Sequence, residues 1–288
     1  MTAEPFTDQF ERHRPHLRRV AHRVLGSFAD ADDAVQDAWL RAQASGTDGV
    51  ENIGGWLTTI VGRVALNLLR SRTTRRETGW EPGWGSRVPD PVVTADGPEQ
   101  RAVRSDDLGA ALLVVLDMLS PAERVAFVLH DQFAMPFEEV APIVEKSVAA
   151  TRQLASRARR KVREATPVQD DAARRREVVT AYLAASQGGD FDRLLALLDP
   201  DVVVRVDYGA GGLSRLLRGA AAVAEQARLH FDTALFSRVA LVNGSPGLVT
   251  VLDDGRVYSV LAFTVRDGRV AAVDILSDQE RLAGVATV

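Results

Sequence analysis

The stretch from Ser147 to Arg163, SVAATRQLASRARRKVR, constrains this chain more than any other. Val148, Thr151, Leu154, Ala155, Ala158 and Val162 recur at helical spacing, so one narrow stripe can face a core. Arg152, Ser156, Arg157, Arg160 and Arg163 fall outside that stripe. Seven basic residues and no acid lie between Lys146 and Arg163. A basic face that is merely solvated is ordinarily laced with Glu and Asp at i,i+4, so an anionic partner is the better reading. Just upstream, Phe137, Val140, Ala141 and Val144 form a second short stripe. Glu145-Lys146 makes a tight connection, and Ser147 suits an N-cap. A short helix, a tight turn and a basic helix predict a helix-turn-helix whose second helix enters the major groove of DNA. The alternative is an ordinary basic helix in a bundle.

A chain of 288 residues predicts two or three domains. There is no cysteine, which excludes a disulfide framework, thiolate metal sites and cysteine catalysis. Neither metal nor cofactor is expected. No apolar run approaches a membrane span and the N-terminus is unlike a signal peptide, so the expected location is cytoplasmic. The net charge of −4 runs against DNA binding by the chain as a whole, but charge is segregated. No acid lies between Arg63 and Arg76, while acids gather at Asp30 to Asp37, at Asp90 to Asp107 and beyond Pro167. Two basic patches on a near-neutral whole suit weak DNA affinity alone, with a second protein holding the chain there.

Phe6 to Arg76 reads as three helices. The first carries Phe10, Leu17, Val20, Val24 and Leu25 and ends at Gly26. The second starts after Ala29-Asp30, with Asp30 as N-cap. The third is the strongly apolar Trp56 to Arg72. Gly, Pro and Trp interleave from about Arg75 to Pro98, and no helix survives so many breakers. Trp80 and Trp84 imply that this linker packs on something. A compact helical segment follows from Glu99 to Glu164. Beyond Ala172 the texture changes to two helices, then strands at Val202–Asp207, Gly247–Leu252, Val257–Val265 and Val270–Leu276. A helix over Ala220–Phe231 lies among them. Asp253-Asp254-Gly255 and Asp267-Gly268 mark hairpin turns. Helices followed by a curved antiparallel sheet predict an α+β cone.

At this point the residues match a known family. ADADDAVQDAWLRA (29–42), GWLTTIVGRVALNLLRSR (55–72), LSPAERVAFVLHD (119–131) and FEEVA with QLASRARR occur in order. Residues 6–164 thus resemble an extracytoplasmic-function sigma factor, the subunit that directs RNA polymerase to promoters, and residues 172–288 look like a SnoaL-like, NTF2-type domain. The resemblance implies a multidomain chain: sigma2 at 1–76, a linker at 77–98, a helix-turn-helix sigma4 at 99–165 and the α+β cone at 172–288. It implies two partners, core RNA polymerase and promoter DNA.

Residue by residue, it places Asp32, Asp33, Gln36 and Asp37 against the polymerase. It places Arg63, Asn67, Arg70 and Arg72, with Arg75 and Arg76, at the −10 element, where a base is flipped from the duplex. Arg63 stands where many relatives carry Asn, and it can stack on a base and neutralise phosphate together. At the −35 element it places Arg152, Gln153, Ser156 and Arg157, with Arg-to-guanine and Gln-to-adenine as the expected pairs. Arg160 suits phosphate. Trp80, Trp84, Pro89, Asp90 and Pro91 fall where relatives carry a linker motif. Asp207 to Gly212, including Gly211 and Gly212, loosely match a Gly-rich motif, and Ser277 to Leu282 an eroded C-terminal one. In the family this third domain tunes polymerase activity. Two other readings stay open at this point. SnoaL-like folds also host polyketide cyclases and isomerases, for which Asp207, His230 and Asp274 are the available proton-transfer residues. The cone also suits a small-ligand sensor. Asp207 is expected on the polar face of its strand, opposite Val202, Val204 and Val206.

Overall fold

The computed structural model describes residues 6–75, 88–94, 115–165, 170–209 and 214–285. Trp80, Trp84, Arg76, Gly211 and Gly212 lie outside the described residues, as does the side chain of Arg75. The chain divides into two compact units, one formed by residues 1–86 and 115–165, the other by 87–114 and 166–288.

The first unit is helical. Helix α1 (Phe6–Leu25) buries Phe10, Leu17, Val20, Ala21 and Val24, the face that its periodicity marked. Gly26, at φ 73°, ends it by turning left-handed. That turn comes early enough for Ser27 to cap α2 (Phe28–Ser45), its hydroxyl accepting from the Asp30 amide at 3.4 Å. The expected cap, Asp30, instead sits in the first turn and pairs with Arg72. Helix α3 (Ile53–Arg75) starts three residues before the predicted Trp56, because the Asn52 side chain accepts from the Gly55 amide at 2.9 Å. Phe6 stacks on Trp39 at 5.2 Å and meets Trp56 edge-on at 6.3 Å.

The second helical region contains α4 (Pro121–Phe127), a π-helical turn (Val128–Gln132), α5 (Phe137–Val144) and α6 (Val148–Ala165). A capping box starts α4: the Ser120 hydroxyl accepts from the Glu123 amide and the Glu123 carboxylate accepts from the Ser120 amide. Lys161 of α6 donates to the same carboxylate at 2.8 Å, fastening the last helix to the first of this region. Gly62 of α3 lets the two helical regions meet, since a Cβ there would lie 3.2 Å from methyls of Leu129 and Ile143.

Burial pushes the Glu123 carboxyl up, but Lys161 and Ser120 pull it further down, leaving it below the ordinary carboxylate range. A depressed native value stabilises the fold above the unfolded pKa and is lost as pH falls through the native one. Ser120→Ala should therefore cost about 1 kcal/mol at neutral pH. Glu123→Gln should weaken the dependence of stability on pH in the acid limb. Urea unfolding at neutral and acid pH measures both.

The second unit is a seven-stranded sheet in the order β1-β4-β5-β6-β7-β2-β3. Its strands are β1 (Val93–Thr94), β2 (Leu198–Asp207), β3 (Arg215–Arg218), β4 (Ser237–Val242), β5 (Ser245–Val251), β6 (Val257–Arg266) and β7 (Arg269–Leu276). The expectation of an antiparallel sheet needs correcting at one joint, where β2 and β7 run parallel. After the short edge strand β1, the chain lays down β2 and β3 at the opposite edge and returns at β4 beside β1, so its last strand arrives beside β2 in the same sense. Helices α7 (Ala172–Gly188), α8 (Phe191–Leu197), α9 (Ala220–Leu229) and α10 (Phe231–Ala234) accompany the sheet, and α11 (Gln279–Leu282) follows β7. Asp267 and Gly268 both take positive φ, 53° and 71°, as a two-residue hairpin requires. The Asp170 carboxylate accepts from both their amides, at 3.0 and 2.7 Å.

Both faces of the sheet are covered. One core gathers Val179, Tyr182, Val204, Val206, Leu248, Phe263 and Val273 under the helices. The other gathers Val88, Val93, Val242, Val260, Leu276 and Leu282. The residues numbered 88–94, read in the sequence as linker, thus belong to this second face.

Candidate nucleic-acid interface

The turn before α6 forms as its sequence predicts. Glu145 takes the left-handed conformation at φ 57° and closes α5, which tolerates Pro142 near its end. The Ser147 hydroxyl then accepts from the Ala150 amide at 3.2 Å. Thr151, Ala155 and Ala158 are fully buried, and these small side chains let α6 lie close on its neighbours. Arg152, Gln153, Ser156 and Arg157 all stand exposed on the opposite side, and Arg160 lies further along the helix.

The run that lacks acids in sequence does not lack them in space. Arg152 pairs with Glu138 at 3.1 Å, Arg159 with Asp131 at 2.6 Å and Lys161 with Glu123 at 2.8 Å. Arg160 has Glu164 at 3.9 Å. Acids contributed by earlier helices were invisible to an i,i+4 test. The pairs of Arg152 and Arg160, exposed on both sides, contribute little to stability.

On α3, Arg63, Asn67 and Arg70 are exposed. Arg63 reaches the Pro142 carbonyl at 3.5 Å and Arg70 pairs with Glu145 at 3.1 Å, so this surface adjoins the helix-turn-helix. Arg72 does not share it. Its guanidinium pairs with Asp30 and donates to the Leu25 carbonyl at 3.2 Å, holding the α1–α2 turn.

On α2, Asp32, Asp33 and Gln36 are exposed and Asp37 is half-buried. Asp32 is tied to Arg18 at 2.6 Å and Asp37 to Arg41 at 2.9 Å. Leu40, four residues after Gln36, is 57% exposed, a large apolar side chain that the sequence reading passed over.

In the cone unit the structure gathers Asp90, flanked by the buried Pro89 and Pro91, and Asp207 around Arg281 of the Ser277–Leu282 motif. Its guanidinium pairs with Asp90, bonds Asp207 at 2.7 Å and donates to the Val88 carbonyl. All three side chains are buried: Arg281 is only 7% exposed and the carboxylates less. Asp207 also accepts from the amides of Val88 at 3.1 Å and Gly209 at 2.9 Å. Asp207 lies opposite Val204 and Val206 on the polar side of its strand, as expected, and segment 88–94 covers that side. Val92 and Asn243 exchange two hydrogen bonds, both at 2.8 Å, and Val93–Thr94 pairs with β4. The sequence signal for this clamp was the three loosely matched motifs at Pro89–Pro91, Asp207–Gly212 and Ser277–Leu282.

The three proton-transfer candidates are not brought together. His230 lines a cavity under the helices, while Asp207 faces the clamp. Asp274 pairs with Arg205. Burial pushes the Asp274 carboxyl up, and Arg205 opposes that shift.

Residues 9–75 match the family "Sigma-70 region 2" and residues 109–162 match "Sigma-70, region 4". The chain is 40% identical to the ECF RNA polymerase sigma factor SigJ of Mycobacterium tuberculosis, over 96% of this chain and 93% of that protein. It is 31% identical to the probable ECF RNA polymerase sigma factor SigI of the same species, over 95% and 93%. The crystal structure of Mycobacterium tuberculosis SigJ superposes with a TM-score of 0.71 at 37% identity, covering 97% of this chain and 99% of that one. A capped helix-turn-helix, an exposed basic face and whole-length likeness of this order agree: the chain belongs to the extracytoplasmic-function RNA polymerase sigma factors, which bind core RNA polymerase and promoter DNA and direct transcription initiation.

Proposed function

We propose that α6 reads the −35 element of the promoter through Arg152, Gln153, Ser156 and Arg157, with Arg160 on phosphate. The carrying observation is that these side chains stand exposed along a helix held by a tight left-handed turn and a serine cap. Arg63, Asn67 and Arg70 of α3 meet the −10 element, and Asp32, Asp33, Gln36 and Asp37 of α2 meet the polymerase. The division of labour follows residues 1–76, 99–165 and 172–288, in the cytoplasm where the polymerase works. The cone unit acts as a regulator. It holds part of the chain that connects the two DNA-reading regions, and so limits how those regions separate. Its cavity suits a small ligand.

The test is binding to promoter duplexes by the holoenzyme. Arg152→Ala or Arg157→Ala should lose about 1–3 kcal/mol at one base pair and relax the preference there. Arg160→Ala should weaken all sequences alike and flatten the salt dependence. Equal losses on every sequence for all three would remove base reading from α6.

A further inference from the structure

Strand alternation gives the cone unit's sheet two different faces. Val204, Val206 and Tyr208 line a cavity beneath α7 and α9, while Arg205 and Asp207, between them, point to the clamp side. The cavity measures about 120 Å³, close to the ~150 Å³ apolar space that accepts one benzene. Its walls are largely aliphatic and tyrosyl, and among the described residues lining it there is no Asp, Glu, Lys or Arg. A charged ligand would lose its water there without gaining a counter-charge. The Tyr182 phenol in the wall responds in the same way: burial pushes it up to about 12.

Polar groups enter this lining at defined points. The His230 Nδ1 lies 3.0 Å from the Gln226 carbonyl oxygen. The Gln226 side-chain amide nitrogen lies 3.1 Å from the same Nδ1, so Gln226 occupies Nδ1 from both sides and Nε2 is the ring nitrogen left for a ligand, accepting or donating according to the tautomer. Across the strands, Thr250 Oγ1 lies 2.8 Å from Ser237 Oγ and accepts from Ser259 at 3.0 Å. All three hydroxyls line the cavity and leave at least one O–H to donate. The geometry points to a binding site for a neutral ligand the size of one aromatic ring bearing a hydroxyl, and that hydroxyl hydrogen-bonds His230 Nε2.

This inference rests on reading the cone unit as a regulator, and the cavity is placed to serve it. Tyr208 follows Asp207 directly, and the amide of Ser277, another lining residue, donates to the Asp207 carbonyl at 2.8 Å. An occupant therefore touches the two strand ends that carry the clamp.

The experiment is fluorine NMR on the full chain with 4-fluorophenol, fluorobenzene and 4-fluorobenzoate as probes. 4-Fluorophenol should bind roughly three- to tenfold more tightly than fluorobenzene, the gain of one neutral hydrogen bond, and 4-fluorobenzoate should not bind. His230→Leu should erase that preference while fluorobenzene binding persists. Ala227→Phe, directed into the cavity from α9, should abolish binding of both neutral probes; the His230 variant decides if this one fails to fold. No binding of either neutral probe, equal binding of the benzoate, or an undiminished phenol preference in His230→Leu would overturn the proposal. Probe binding is read without transcription, whereas regulation by the cone unit is read by run-off transcription with Arg281→Ala. Either can fail alone.

Discussion

Arg281→Ala is expected to release residues 88–94 from the sheet of the cone unit. The substitution removes the guanidinium that the buried Asp90 and Asp207 share. Removing one member of a buried charge cluster typically costs about 3–5 kcal/mol. Docking the segment buries chiefly Val88 and Val93, each worth about 1.5–3 kcal/mol, against the entropy of ordering seven residues. The loss is therefore as large as what holds the segment. Hydrogen exchange reports it directly, because the amides of Val88 and Val92 are bonded to Asp207 and Asn243 only while the segment is docked. Both amides should lose protection, while amides in α1 to α3 keep theirs. Arg281→Lys should recover part of the protection at most, since one ammonium cannot reproduce the guanidinium fork that reaches Asp90, Asp207 and the Val88 carbonyl together. Unchanged protection in Arg281→Ala would show that β1 pairing alone holds the segment.

Gln36→Ala combined with Asp37→Ala is expected to abolish association with core RNA polymerase and leave helicity unchanged. Gln36 is exposed and packs into no core, and Asp37 gives up only an exposed pair with Arg41. Alanine's better helix propensity compensates locally. Leu40→Ser should act in the same direction, because an apolar side chain this exposed gains most when a partner covers it. Co-purification with core enzyme and circular dichroism measure the two halves of the expectation. Full retention of core binding in the double variant would place the polymerase contact on another face.

The sequence was most legible where structure is set by near neighbours. The periodicity of α1 and α6, the serine cap at Ser147 and the paired positive φ of Asp267-Gly268 depend on residues a few positions apart. Helix starts were less legible. Ser27 took the cap expected at Asp30, and Asn52 started α3 ahead of the expected Trp56, because the preceding turn decides which residue reaches the first free amide. Strands β1, β3 and β4 were missed: they are two, four and six residues long, and charged or mixed in composition. Such short segments become strands only when a neighbouring strand supplies hydrogen-bond partners.

By itself, the sequence determined a helical chain with a basic helix-turn-helix and a following α+β unit, and it marked side chains on α2, α3 and α6 most of which the structure exposes. Only the tertiary structure decided which charges are spent within the fold. Arg72 belongs to Asp30, Arg205 to Asp274, and Arg281 to Asp90 and Asp207 from positions 191 and 74 residues away. It also decided that β2 and β7 run parallel and that Asp207 is buried. The reason is physical: local pattern fixes what a segment prefers, whereas a buried charge is tolerable only where a distant partner arrives to meet it.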